Sequence, residues 1–165
     1  MIKTKRIYLR RFTKDEADLL FQLDGDADVM KYITLGIPRT LDEVIEKSMP
    51  RILKSYQDKT DFGIFAAYLI NSEKYIGWFQ FEQDKEFEGS IEIGWRLKKQ
   101  YWGNGYATEV ATSLCELGIK MGKKIVARAM IENLASIRVM EKVGLKFEKK
   151  FLYPGSSSPD VLYKR

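Results

Sequence analysis

The hydrophobic pattern changes period abruptly between residues 90 and 121, and that change constrains the centre of the fold more than any other feature. Over Ser90 to Leu97 the apolar side chains alternate: Ile91, Ile93, Trp95 and Leu97 face one way, Glu92, Gly94 and Arg96 the other. This is strand periodicity. From about Gly105 to Met121 the spacing becomes helical, with Ala107, Val110, Ala111, Leu114, Leu117 and Met121 on one stripe. The two are joined by Gln100-Tyr101-Trp102-Gly103-Asn104-Gly105-Tyr106-Ala107. Two glycines at such a junction let the backbone turn tightly and approach a ligand closely. The first turn of the helix offers unpaired N–H donors and the positive end of its dipole. A pyrophosphate would sit well there. The plainer alternative is a glycine-containing helix start with a capping role. A match of this kind arises by chance in roughly one chain in six of this length, so alone it is weak. It is no Walker loop, since no Gly-Lys-Ser/Thr follows, and it lacks the third glycine of the dinucleotide fingerprint.

The remaining elements can be placed around this unit. Ile7 to Phe12 reads as a strand. Thr13 to Glu16 has capping-box spacing ahead of a helix carrying Leu19, Leu20 and Leu23, and Thr40 to Glu43 has it again. Behind the second box Val44, Ile45, Met49, Ile52, Leu53 and Tyr56 recur at helical spacing, and Pro50 predicts a kink or break among them. Phe62 to Ile70 and Tyr75 to Glu82 read as strands joined by a turn at Asn71-Ser72-Glu73-Lys74. After the long helix come a strand (Ile125 to Ile131), a helix (Asn133 to Val143) and a strand (Leu145 to Phe151). The Pro154 to Pro159 loop then leads into a last short strand. A hairpin meander followed by strand-helix-strand-helix-strand implies an α+β fold, a mixed sheet with helices on both faces. The chain has 165 residues, which fits one domain over 1–165.

Composition removes several classes of chemistry. The sequence contains no histidine and a single cysteine, Cys115. Cys/His zinc sites, Ser-His-Asp triads and Cys-His pairs are therefore excluded, as is an internal disulfide. Acid–base work falls to carboxylates, Tyr, Lys, Ser, Cys or water. Cys115 lies mid-helix with no histidine to activate it, which argues against a nucleophilic role. The net charge of +5 is dispersed over pairs such as Lys98-Lys99, Lys123-Lys124 and Lys149-Lys150, which disfavours nucleic acid as a partner. No apolar run approaches the ~18 residues of a membrane span, and no signal core follows the basic start, so a cytoplasmic address is expected.

A second constellation lies downstream. On a helix, Asn133, Ser136, Ile137, Met140 and Gly144 fall on one face, with two polar groups at its N-terminal end. Asn133 fits two roles, an ordinary N-cap or a hydrogen-bonding partner for the amides of an extended ligand.

Together these segments resemble one family. Glu92-Ile93-Gly94-Trp95-Arg96-Leu97, the Gln100 to Gly105 loop and the Asn133 to Leu145 helix are similar to the acetyl-CoA-binding core of the GNAT superfamily. Tyr101 to Glu109, Asn133-x-x-Ser136 and Glu141-Lys142-Val143-Gly144-Leu145 resemble its RimJ/RimL-like branch, which contains the ribosomal-protein N-terminal acetyltransferases, as does Asp26 to Ile33 upstream. The resemblance implies a mostly antiparallel central sheet of about six to seven strands flanked by about four helices. It implies direct acetyl transfer from acetyl-CoA to a primary amine, with no metal. Backbone around Trp95, Arg96 and Leu97 would pair with the pantetheine arm. Gln100, Trp102, Gly103, Asn104, Gly105, Tyr106 and Ala107 would hold the pyrophosphate, and Asn133 and Ser136 the arm and the sulfur. A strand N–H would meet the oxyanion.

Two catalytic roles follow from the same likeness. Glu92 stands where many relatives carry the carboxylate that takes the amine's proton; positioning a water, or pairing with Arg96, would occupy it equally well. The tyrosine that often protonates the departing thiolate is missing, its neighbourhood holding Met140, so Ser136 is the substitute. Acidic residues in Asp24-Gly25-Asp26-Ala27-Asp28 and at Glu82, Asp84, Glu86 and Glu88 would draw a cationic acceptor or serve only as solvated loop charges. The expected acceptor is a protein or peptide N-terminal amine. A small amine, or an acyl-CoA-binding module without catalysis, stays open, and the oligomeric state is not legible.

Overall fold

The computed structural model describes residues 2–56 and 61–165. A two-residue strand, β1 (Ile2–Lys3), pairs antiparallel with β2 (Ile7–Arg11). The meander continues through β3 (Gly63–Leu69), β4 (Tyr75–Gln83) and β5 (Ser90–Leu97). β6 (Lys124–Met130) joins β5 in parallel, and β7 (Lys146–Phe151) and β8 (Asp160–Lys164) complete the far edge. The result is one eight-stranded sheet ordered β1-β2-β3-β4-β5-β6-β8-β7, with β5–β6 its parallel pair. The mixed, mostly antiparallel sheet is as expected. It exceeds the expected six to seven strands because β1, too short to show an alternation, was not legible.

The helices cover both faces. Between β2 and β3 lie α1 (Ala17–Asp24), α2 (Ala27–Met30), α3 (Leu41–Glu43), a π-helical turn (Val44–Ser48) and α4 (Met49–Lys54). Leu20, Leu23, Val29, Val44, Met49 and Ile52 from this group pack on Ile64, Ala66 and Tyr68 of β3. The opposite face of the sheet is covered by α5 (Tyr106–Lys120) and α6 (Leu134–Lys142). Val110, Ala111, Leu114 and Met140 meet Phe65, Ala67, Phe79, Phe81, Ile91 and Ile93 there. β3 is consequently buried on both sides, and its near-continuous apolar run has that physical cause. Among the described residues no helix is long and apolar enough to cross a membrane.

Local signals were read with mixed success. At Thr40 the capping box is complete: Thr40 Oγ1 accepts from the Glu43 N–H at 3.2 Å, and Glu43 Oε2 from the Thr40 N–H at 3.1 Å. At Thr13 it is not. Glu16 accepts the Thr13 N–H at 2.8 Å, but its carboxylate is drawn to Arg10 Nη2 at 2.5 Å, and α1 starts beyond it without a side-chain cap. Pro50 does not break its helix. The π-helical turn ahead of it sends the Met49 N–H to the Val44 carbonyl, five residues back, and Pro50 falls in the first turn of α4 where no N–H is required. Met121, expected on the inward stripe of the long helix, lies past the end of α5 and is exposed.

One feature of the topology positions the site. β5 and β6 pair only through Ser90–Lys124, Ile91–Ile125 and Glu92–Val126, whereas β4 and β5 stay paired up to Leu97. Beyond Glu92 the parallel strands diverge, opening a gap in the middle of the sheet. The Lys98 N–H donates to Ile76 of β4 at 2.9 Å. By strand alternation the main-chain groups of Trp95 and Leu97 therefore point the other way, into the gap.

Candidate active site

The glycine junction closes one end of the gap. Lys99–Tyr101 forms a 3₁₀ turn, after which Gly103 and Gly105 take φ of 76° and 77°. These left-handed conformations strain any residue with a Cβ. Gly105 also stands at the N-cap of α5 with no side chain to cap the first turn, so the leading N–H groups of the helix face outward. The Trp102 indole N–H donates to Leu97 O at 2.7 Å and Asn104 Nδ2 to Trp102 O at 3.0 Å, which pins the loop's shape.

An N-terminal clamp holds the same loop. Glu109, in the first turn of α5, accepts from Thr4 Oγ1 at 2.6 Å, from the Arg6 N–H at 2.8 Å and from Arg6 Nε at 2.6 Å. Arg6 Nη1 also donates to Asn104 O at 3.1 Å, and its guanidinium lies 4.6 Å over the Tyr106 ring. Burial pushes the Glu109 carboxyl up, but the hydrogen bonds from Thr4 and Arg6 outweigh it, leaving the group below its ordinary range. The charge of Glu109 is thus spent on Arg6 rather than opposing an anion at the helix start.

A cavity of about 430 Å³ follows the gap. Trp95, Arg96, Leu97, Trp102, Gly103, Gly105, Tyr106, Ala107, Asn133 and Ser136 all line it, so two segments some thirty residues apart are brought together as expected. Gln100 and Asn104 do not line it: Gln100 is exposed in the 3₁₀ turn, and Asn104 is turned back onto Trp102. Asn133 is an N-cap that also lies beside the cavity. Its Oδ1 caps α6 by accepting the Ser136 N–H at 3.2 Å, while the residue still borders the cavity. Met140 is core, 1% exposed, and offers no proton. Tyr32, Arg138 and Lys142 also line the cavity and were missed. Arg138 and Lys142 carry a readable signal, an i,i+4 cation pair on α6.

Arg96 corrects one expectation. It does not pair with Glu92; its Nη1 donates to Asp24 at the end of α1, and its guanidinium stacks over Trp78 at 5.0 Å. Glu92 is instead held by Arg128 of β6, whose Nη1 donates to Oε1 at 3.0 Å, and by Gln80 of β4, whose Nε2 donates to Oε2 at 2.9 Å. Arg128 also binds Asp84 and, at 3.3 Å, Glu86.

Glu92 borders a second cavity, of about 620 Å³, on the sheet face covered by α1 to α4. Its walls mix charges: Glu82, Asp84, Glu86 and Glu92 with Arg51, Lys54, Lys85 and Arg128. The strand carries Glu92 in this cavity and Trp95 in the other, about 10 Å apart along β5. Cys115 takes no part in either; burial pushes its thiol up to about 11.

These residues suit acetyl-CoA. Outward N–H groups at a glycine-shaped helix start accept a pyrophosphate, and open strand backbone at Trp95 pairs with the amides of a pantetheine arm. Comparison with known proteins agrees. Residues 6–146 match the family model described as acetyltransferase (GNAT) domain. The uncharacterized N-acetyltransferase YnaD of Bacillus subtilis is 32% identical, the alignment covering 98% of this chain and 94% of that one. The crystal structure of a GNAT-family acetyltransferase from Bacillus anthracis is 29% identical and superposes with a TM-score of 0.79, covering 99% of this chain and 96% of that one. The structure of RimL, a ribosomal L7/L12 alpha-N-protein acetyltransferase in complex with coenzyme A, has a TM-score of 0.80 over 98% of this chain and 94% of its own, at 16% identity.

Proposed function

The chain belongs to the GNAT acetyltransferase family and is an acetyl-CoA-dependent N-acetyltransferase; from that premise we propose that its acceptor is the N-terminal amine of a protein or peptide, as in the RimJ/RimL-like branch. The observation that carries this reading is the mixed charge of the second cavity. Arg51, Lys54 and Lys85 stand in the same wall as its carboxylates. A polyamine or an aminoglycoside brings several cations and would be repelled by those groups. A peptide N-terminus brings one ammonium followed by amides, which a wall of alternating charge and hydrogen-bonding groups accommodates. The branch phrase Tyr101 to Glu109 with Asn133-x-x-Ser136 supports the same assignment.

Acetyl-CoA supplies an activated acetyl group, held in this reading by Trp95 to Leu97, the Trp102 to Ala107 loop, Asn133 and Ser136. Glu92, with both oxygens engaged, anchors the acceptor ammonium or a water beside it. The Ser136 hydroxyl, one turn into α6, serves the sulfur as hydrogen-bond donor. The test is steady-state acetylation across peptides with free or blocked N-termini, spermidine and an aminoglycoside. Turnover confined to free N-termini is the expected result; preference for either polycation would overturn the peptide assignment.

A further inference from the structure

Glu92 is poorly suited to the proton transfer that its position suggests, and the structure offers another group. One Glu92 oxygen is bonded to a guanidinium and the other to an amide N–H. Both contacts occupy the carboxylate oxygens and hold them in place. Directly across the antiparallel β4–β5 ladder stands Glu82, the register partner of Glu92. Gln80, two residues before Glu82 on β4, reaches Glu92, so Glu82 and Glu92 project from the same face of the sheet into the same cavity.

The surroundings of Glu82 differ in kind. No hydrogen bond engages its carboxylate among the described residues, and its ion pair, with Arg51 Nη2, spans 3.9 Å. Arg51 is largely exposed, so water screens that contact. Lys85 lies beyond the end of β4 and Lys54 on α4, and both line the cavity. Arg128, the remaining cation of the wall, is committed to Asp84, Glu86 and Glu92. Tyr153 also lines the cavity. Burial, the main cause, and the neighbouring charge of Glu92 push the Glu82 carboxyl up, against Arg51 and Lys85.

We propose that Glu82 is the general base of this enzyme, taking the proton from an acceptor ammonium anchored by Glu92. The proposal rests on the acetyl-transfer reading of the same site. In the step, an N–H bond of the ammonium breaks and an O–H bond forms on Glu82, which becomes a neutral carboxylic acid. The freed lone pair on nitrogen is the nucleophile for the acetyl carbon. As the C–N bond forms the C–S bond breaks, and a second N–H proton of the attacking amine passes to the leaving sulfur so that CoA departs as the thiol. Glu82 returns its own proton to water through the open cavity. A cross-strand carboxylate pair thereby divides the work, Glu92 holding the acceptor and Glu82 taking its proton.

The experiment compares wild type, E82Q and E92Q with the best amine from the panel. For E82Q the expected result is turnover at neutral pH lower by about 10²-fold, recovering with rising pH as the amine loses its own proton, with calorimetric affinity for CoA unchanged. For E92Q the expected loss falls mainly on the KM of the amine. A second readout needs no cofactor: in carboxyl-detected NMR titration Glu82 should titrate above its ordinary value and move down in E92Q. Wild-type turnover and pH profile in E82Q, or titration of Glu82 at or below the ordinary value, would overturn the assignment of the base alone. Failure of the wild type to acetylate any amine would overturn the acetyl-transfer reading, and this proposal with it.

Discussion

Asp24 and Arg96 form a buried ion pair between the end of α1 and the C-terminal end of β5, and Asp24 is 2% exposed. The second oxygen of Asp24 accepts from Arg39 Nη1 and from Ser48 Oγ, each at 3.1 Å. One carboxylate therefore ties the helical layer, the π-helical turn and the strand that lines the cofactor cavity. Removing one partner of such a pair leaves a buried charge uncompensated, at a cost of about 3–5 kcal/mol. Asp24→Asn should lower the melting temperature by roughly 10 °C. It should also weaken CoA binding, because Arg96 lines the cavity. Thermal denaturation and calorimetry of the purified variant check both; a melting temperature within a degree or two of wild type would mean that the pair contributes little.

Gly105 tests the pyrophosphate loop. At φ of 77° any side chain is strained, by about 1–2 kcal/mol. The space itself is open, the nearest atom to a Cβ there being Arg6 Nη2 at 3.6 Å. Gly105→Ala should therefore fold and bind CoA with a modest loss. Gly105→Asp adds an anion at the helix start, and its affinity for CoA should fall by about tenfold or more beyond the alanine variant. Equal affinities for the two variants would remove the loop from the pyrophosphate site.

Ser136 separates binding from chemistry. If its hydroxyl meets the sulfur as a hydrogen-bond donor, Ser136→Ala should lower kcat by about two- to tenfold, the worth of one net hydrogen bond. Service as the proton donor to the thiolate would raise that loss to about 10²-fold. The cap on α6 uses the Ser136 backbone N–H and survives the change, so stability should hold. Stopped-flow and steady-state turnover measure the effect, and an unchanged kcat would exclude both roles.

Stability should respond to acid through Glu16. Its hydrogen bond from Arg10 is the main cause that holds its carboxyl below the ordinary 4.5. A depressed folded-state value contributes stability above pH 4.5 that is lost as the pH falls through the folded value. The pair is partly solvated, so its worth is about 1 kcal/mol or less. Glu16→Gln should be slightly less stable than wild type at pH 7, with the difference shrinking as the pH falls below 4.5, as read by circular dichroism melts.

Periodicity and local chemistry were enough for most of the elements. Ser90–Leu97 was found to the residue because one face of that strand is buried and its alternation is strict. Asn133 and Thr40 were found as helix starts because their capping acts over three residues. The glycine loop was legible because positive φ at Gly103 and Gly105 demands that residue type. The cavity segments at residues 95–107 and 133–136 carry such short-range signals, and the family and the cofactor are what the resemblance of those segments to the GNAT core implied.

Only the tertiary structure decided who faces whom. Pairing with Arg96, on the same face of the strand, is one of the readings the sequence leaves open for Glu92, yet Arg96 is drawn to Asp24, 72 positions away, and Glu92 to Arg128, 36 positions away. Thr13 failed to complete its box because the Glu16 N–H goes to the Thr13 carbonyl at 3.3 Å rather than to the hydroxyl, and the kink or break expected at Pro50 is absorbed by a π-helical turn that removes the need for its N–H. The carboxylate pair Glu82 and Glu92 depends on the β4–β5 register. A one-residue slip there would send one carboxylate to the other face of the sheet. Charge and hydrogen-bonding capacity are properties of residue type, and the sequence states them; which partner satisfies them is settled by distance in the fold, and that is where this site is made.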